Sequence, residues 1–594
     1  MNKNKLICLS VLAVTLLTGC TVNPGGSSKT TNISIYNFSG GVGSAWLDQA
    51  IKDFTTLKTS TSYEEGKEGV KITYWGNTDS AGALGNMKSS GDAIFFTEKG
   101  NTPFSLANQD ALYNLNDLLA SKADESEDET IEDKINDDYL SILKGSDNNY
   151  YALPHYEWYS GVTYDIEAFD SDLYYFAAPE EEQSELWDAI IDVGGKEYNF
   201  GKGRFITDIS AKKSCGNDGL YGTEDDGLPS SVQEFLVLCA RLKSNGLAPL
   251  AVAGNHRDYS AYLLQGFLSS LLGIDGVQDF YDFEGNIKVL KRDSAGRIIY
   301  KNGEELFCKG SGVRAPEYET VTVTEKTGYL TRETYERYYL AGLMQMLVDC
   351  EFFTDKSVNS SATNFQTQEG FIFGRTKYEA AMLIEGNYWY NEAANQNYFS
   401  NFKKTKGHDR ELGWMSLPTK LEGTVEEDLT GVGYQSSLID TSYSYCFVNK
   451  NAMNKNSEGY RNAVMDFVKF LYSDRQLESF TKITGTAKAA IDYDFTNDDV
   501  FASLSGFQKQ ILTLKKNNGV AYATAVNETF KNRQLEFQFG IEAPIWSTTV
   551  NNISYKDYIS AFKDPNNASI TVEDVVAGSF ITPDVWMNAY YKGK

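Results

Sequence analysis

Two periods share the first hundred residues. Ile33-Ser34-Ile35-Tyr36-Asn37-Phe38 alternates at the strand period, and Val70 to Tyr74 and Asp92 to Phe96 repeat the signal. Between them Trp46, Ile51 and Phe54 recur at helical spacing behind Ser44, a cap-type residue, and Leu84 to Ser89 predicts a shorter helix. Strand, helix, strand, helix, strand predicts a parallel sheet. The loop Ser39-Gly40-Gly41-Val42-Gly43-Ser44 then falls at the carboxyl end of the first strand, where open α/β sheets bind ligands. It lacks both the P-loop lysine and the G-x-G-x-x-G spacing, which argues against a nucleotide.

Further on, Tyr150 to Asp165 reads as an extended, aromatic-rich connector stiffened at Pro154 and ending in a strand. Residues 231–246 predict an amphipathic helix capped by Ser230 or Ser231 and stopped by Gly246. Apolar periodicity resumes at Thr334 to Asp349 and at Gly459 to Tyr472. Residues 278–326 alternate Ile, Val and Tyr with charges around turn signals and predict a β-rich insertion. The acidic run Asp124 to Asp138 reads as a solvated face or loop.

The N-terminus carries a different kind of pattern. Lys3 and Lys5 precede an apolar run from Leu6 to Leu17, shorter than the ~20 residues of a membrane-spanning helix. Leu17-Thr18-Gly19-Cys20 resembles the bacterial lipoprotein signal, with residues 1–19 removed and Cys20 lipidated through its thiol. Residues 20–31, small and polar, would tether a body to the outer side of the cell membrane.

Composition narrows the function. A chain of 594 residues exceeds one compact domain, and its 41% hydrophobic and 23% charged residues are those of a globular protein. The net charge of -27 disfavours nucleic-acid partners. Beyond Cys8 and Cys20, the cysteines Cys215, Cys239, Cys308, Cys350 and Cys446 are odd in number and lack C-x-x-C spacing, so neither a disulfide framework nor a zinc site is expected. Cys239 and Cys350 sit in apolar helical patterns and read as buried small hydrophobes. The loop from Asn217 to Asp226 is rich in oxygen ligands; an Asx-turn loop is favoured over a Ca²⁺ site because the EF-hand spacing is missing. No G-x-S-x-G or H-E-x-x-H occurs, and His155, His256 and His408 form no triad pattern. No cofactor is expected and no motif marks an enzyme, although 81 acids leave room for a glycosidase pair.

Several segments in order carry a resemblance. They are the lipobox, the Gly-rich loop, Asp92-Ala93-Ile94-Phe95 with Ala111 to Leu115, and Ala152-Leu153-Pro154 running into Gly161 to Asp165. Asn245 to Pro249, Glu379 to Trp389, Gly413 to Pro418, Ala463 to Tyr472 and Thr484-Gly485 follow. Together, over residues 32–490, they resemble the extracellular solute-binding lipoproteins of carbohydrate ABC importers, the maltose-binding-protein-like group. The resemblance implies an α/β fold of two lobes joined by hinge strands, closing over a sugar in the cleft between them. It divides the chain into a first lobe of 32–155 plus 385–455 and a second of 156–384 plus 456–594. It also implies a monomer that delivers its sugar to membrane permease subunits. The competing expectation is a surface lipoprotein that binds or degrades glycans without a transporter.

A sugar offers an apolar face to aromatic rings and a rim of hydroxyls to acids and amides. On that chemistry Trp389 with Asn387, at an implied hinge crossing, is the foremost candidate, set against a buried hinge tryptophan. Trp158 with Glu157, Asn255 with Tyr259, Ser39 with Gly41, and Glu98 with Lys99 complete the expected ligand-binding set. His155 is expected to be structural, and Trp46 to belong to the core.

Overall fold

The computed structural model describes residues 29–99, 102–324, 326–374, 380–421, 438–523, 546–567 and 569–591. The signal, Cys20 and most of the tether lie outside them. Among the described residues no helix is long and apolar enough to cross a membrane.

The alternating strand Thr31–Asn37 buries Ile33 and Ile35 and is flanked in parallel by Val70–Trp75 and Ile94–Thr97, with Ile33 opposite Ile72 and Ile35 opposite Ile94. Tyr445–Val448 then pairs antiparallel with both Ile94–Thr97 and Ala152–Pro154, completing five strands. The helix Ala45–Leu57 starts after Ser44, whose side chain makes no capping bond to the helix backbone.

A second sheet of four strands has Ser160–Asp165 and Ala380–Gly386 at its centre, antiparallel to each other, with Leu412–Trp414 and Ala248–Ala251 at its edges. All seven residues of Ala380–Gly386 are buried, the mark of a strand covered on both faces. Behind it, the helix Val232–Ser244 is capped by the Ser231 hydroxyl, which accepts the Glu234 N–H at 3.1 Å. The fold is therefore α/β with two sheets joined by crossing segments.

The crossings correct the expected boundaries. The first connector runs from Pro154, the end of a first-sheet strand, to Ser160, the start of a second-sheet strand. The second does not fall near 385, because Ala380–Gly386 and Leu412–Trp414 flank Ser160–Asp165 and cannot leave the second sheet. Among the described residues, the chain returns to the first sheet at Tyr445–Val448. Residues from 456 onward do not join the second sheet at once either: Phe467 and Phe470 of the helix Glu458–Leu471 pack on Phe54 at 5.1 and 5.3 Å between ring centres. The second sheet is regained at Gly506–Asn518, where the Gln510 amide bonds both backbone groups of Trp414 at 2.8 and 3.2 Å.

The stretch after Asp282 forms two antiparallel pairs, Asn286–Leu290 with Tyr318–Thr322 and Tyr300–Glu305 with Arg314–Pro316. The C-terminal segment closes over it: Trp586 packs on Phe283 at 4.9 Å, and its indole fills the space where Gly328 lacks a Cβ. A long hairpin, Ser184–Val193 with Lys196–Ile206, turns on Gly194 and Gly195, both with positive φ. All five remaining cysteines are buried free thiols. In the Asn217–Asp226 loop, Asp225 accepts the backbone N–H groups of Asn217 and Asp218, and Asp226 that of Gly222.

Candidate functional site

The crevice at the carboxyl ends of both sheets gathers side chains from both sheets and from the connector between them. From the first sheet come Gly41, Glu98 and Lys99. Gly41 has φ +56°, and a Cβ there would overlap the Tyr156 hydroxyl. That hydroxyl donates to Glu98 Oε2. Burial pushes the Glu98 carboxyl up, with Lys99 and Tyr156 drawing it partly back. Lys99 adopts φ +46° and donates its backbone N–H to Ser442 at 3.1 Å.

From the connector comes Trp158, held by its N–H to Asp440 Oδ1 at 3.2 Å. Its indole meets the rings of Tyr388 and Tyr262 edge-on at 4.9 and 5.3 Å. Lys99 Nζ lies 4.9 Å from the indole centre and 5.8 Å from that of Tyr262. Tyr262, at the start of the helix Ser260–Asp282, stacks on Tyr259 at 5.0 Å, which stacks on His256 at 5.2 Å. A ladder of rings thus runs from buried Trp158 outward to half-buried Tyr259. A small cavity beside it is lined by Val42, Trp158, Tyr388 and Thr486.

From the second sheet come Glu385 and Glu392, bridged by Gln368 of the helix Asn364–Phe373. Gln368 Nε2 donates to Glu385 Oε1 at 3.0 Å and to Glu392 Oε2 at 3.1 Å. Burial raises Glu385 well above the usual carboxylate range, with the neighbouring Glu392 charge adding to it. Glu392 is pushed up to about 7, chiefly by burial.

The structure brings Glu98, Lys99, Trp158, Tyr259 and Gly41 of the expected set to this crevice. Trp389 is not among them. It is 0% exposed, donates its indole N–H to Thr163 Oγ1 at 2.9 Å, and packs among Phe371, Tyr390, Phe399 and Phe507. It is the buried hinge tryptophan of the alternative reading. Glu157, also 0% exposed, is consumed by Lys515 and by the hydroxyls of Tyr159 at 2.6 Å and Tyr522 at 3.1 Å. Asn387 exchanges two hydrogen bonds with Tyr159 and serves the backbone. Ser39 and Asn255 are exposed, and their backbone N–H groups donate to the distant carbonyls of Asn77 and Ala362. His155 is buried against Lys488, and Trp46 is core, as expected.

Sequence reasoning missed Tyr156, Tyr262, Tyr388, Glu392 and Gln368. Tyr262 was findable, since it follows Tyr259 by three residues and shares its helical face. Tyr388 stands beside Asn387, and Glu392 follows it by four.

No family model and no curated protein sequence matches this chain. Solved structures are similar to it at low identity. A chitin oligosaccharide binding protein is 14% identical, with 95% of this chain and 100% of that chain covered and a TM-score of 0.49. A cyclic alpha-maltosyl-1,6-maltose binding protein from Arthrobacter globiformis is 13% identical, with 95% and 100% covered and a TM-score of 0.48. The binding protein RafE in complex with raffinose is 11% identical, with 86% and 94% covered and a TM-score of 0.46.

Proposed function

We propose that this chain captures a sugar or oligosaccharide in the crevice between its two sheets, as a lipid-anchored protein outside the cytoplasm that serves an ABC importer. One observation carries the reading: the ring ladder Trp158, Tyr388, Tyr262 and Tyr259 stands beside Glu98, Lys99 and Glu392 where the chain crosses between sheets. Rings suit the CH face of a pyranose, and the charged groups suit its hydroxyls with charge-assisted hydrogen bonds. Because the ladder and Glu98 come from different sheets, a ligand touching both favours the closed arrangement by its differential affinity for it. Docking of the closed form on permease subunits, and release of the sugar there, completes the cycle. The anchor rests on the Leu17-Thr18-Gly19-Cys20 signal.

Thermal unfolding of the purified protein against a panel of mono- and oligosaccharides tests the reading. A ligand bound only by the folded state adds about 2.7 kcal/mol at a hundredfold excess over Kd. One sugar series raising Tm with no product formed is the expected result. Product would shift the reading to glycan degradation, and a flat response to every sugar would end it.

A further inference from the structure

A second groove lies at the end of the first sheet opposite the crevice. Tyr113 donates its backbone N–H to the Val448 carbonyl at 2.8 Å, and Val448 pairs with Ile94 at the amino end of Ile94–Thr97, whereas Glu98 and Lys99 leave the carboxyl end. The groove measures about 560 Å³, within the range of small-ligand sites. One wall is the helix Glu458–Leu471, on which Asn462, Met465, Asp466 and Lys469 recur at i, i+3, i+4 and i+7 and so share a face. Tyr113, Asp117 and Tyr151 also line it, with Asn454 from the helix Lys450–Lys455.

What these side chains leave unused defines the ligand. Asp466 is taken by Lys58 at 3.1 Å and by the Tyr63 hydroxyl at 2.6 Å, Lys450 by Asp110, and the Tyr151 hydroxyl by Asp147 at 2.7 Å. Asp117 and Lys469 form no ion pair among the described residues and are of opposite sign, so the groove offers an ion no net attraction. Tyr113 is half-buried, yet its hydroxyl has no hydrogen-bond partner and its ring no aromatic or cationic neighbour among the described residues. The side-chain amides of Asn454 and Asn462 have no partner among them either. An amide sets a donor beside an acceptor, as neighbouring hydroxyls require, and a tyrosine ring suits the CH face of a pyranose while its hydroxyl reaches the rim. Three unused polar side chains from three separate segments thus converge on one concave site.

We propose that this groove is a second carbohydrate site, for a neutral polysaccharide chain, with one sugar ring against Tyr113 and its hydroxyls on Asn454 and Asn462. It stands on residues that the crevice does not use, so it holds or fails separately from the sugar-capture reading. Placed at the far end of the sheet, it retains a polymer at the protein surface while the crevice stays free for sugars. The net charge of -27 turns acidic polymers away.

Affinity electrophoresis of the purified protein through native gels holding soluble xylan, galactomannan, amylopectin or polygalacturonate tests it. At least one neutral polymer should retard the protein, and polygalacturonate should not. Tyr113→Ala and, separately, Asn462→Ala should each raise the apparent Kd for that polymer about tenfold. Asn462 is exposed on its helix, so its variant keeps the fold even if the tyrosine variant does not, and Tm verifies both. The rise in Tm with sugars bound in the crevice should be the same in the Asn462 variant as in the parent. Retardation by no neutral polymer, or equal retardation by polygalacturonate, overturns the proposal. Undiminished retardation of both variants overturns it too, and would assign the polymer to the crevice with sugar capture there left standing.

Discussion

Asn387 and Tyr159 hold each other by two hydrogen bonds: the Asn387 N–H donates to the Tyr159 carbonyl at 3.1 Å, and the Tyr159 N–H returns to Asn387 Oδ1 at 2.7 Å. The pair continues the antiparallel register one step beyond Gly386 opposite Ser160, with a side-chain oxygen standing in for a ladder carbonyl. It locks the point where the connector enters the second sheet, directly beneath Trp158.

Removing that oxygen should cost stability. Asn387→Ala leaves the buried Tyr159 N–H without an acceptor, a loss of about 1–3 kcal/mol. The urea midpoint should fall accordingly with an unchanged m-value. An unchanged midpoint would mean that the backbone finds another partner.

Trp389 gives the contrasting case. Its ring belongs to the core, so Trp389→Ala should destabilise by about 3–5 kcal/mol. Trp389→Phe should keep the fold and leave sugar affinity unaltered, measured as Kd per folded molecule. A large rise in Kd for the phenylalanine variant would restore this residue to the binding wall.

These two neighbours show what was legible in the sequence. The strand-and-helix alternation from Ile33 to Phe96 announced the first sheet, and the ordered segments announced a second. Strand partners across hundreds of residues carry no local signal, so the crossings after Trp414 and after residue 484 were misplaced. The two rings of the Gly386–Trp389 segment point opposite ways: Tyr388 to the ladder and Trp389 to the core. Which of two adjacent rings faces a ligand depends on where the helix Trp389–Asn395 begins, and composition does not encode that. Glu157 misled for a similar reason, because its partners Lys515 and Tyr522 lie more than 350 positions away in sequence.

Tyr259 is the outer rung and can be changed with little harm to the fold. Tyr259→Ala should weaken binding of the cognate sugar by about 1–2 kcal/mol, since truncated aromatic anchors commonly cost that much. Tm without ligand should move little, because the ring is only half-buried. An unchanged Kd would place the ligand nearer Trp158.

Lys515 supports the site from behind. Lys515→Met leaves the fully buried Glu157 carboxylate with only two tyrosine hydroxyls, and loss of one partner of a buried pair costs about 3–5 kcal/mol. The double variant Lys515→Met with Glu157→Gln should recover much of that loss in a denaturant titration. Failure to recover would assign the cost to packing of the lysine stem.

Lys488 predicts the pH dependence. Its ammonium is buried among the rings of Trp46, Tyr472 and Phe480, 3.0 Å from His155 Nδ1, and burial brings its pKa down from 10.5 to about 7. Between about pH 7 and 10.5 the unfolded chain therefore binds a proton here that the folded chain does not, and stability rises with pH across that window. Below about 7 both states are protonated and the full penalty, on the order of several kcal/mol, is present. His155, held well below its usual 6.5 by burial and by Lys488, adds a rise in stability that is complete by about pH 6.5. Raised carboxyls such as Asp440, pushed up to about 8, act in the opposite sense, but they are common to any pair of variants and cancel in a difference. Lys488→Met should therefore raise Tm most at and below about pH 7, with the gain fading as pH approaches 10. A gain independent of pH would mean that the lysine keeps its ordinary pKa in the folded protein.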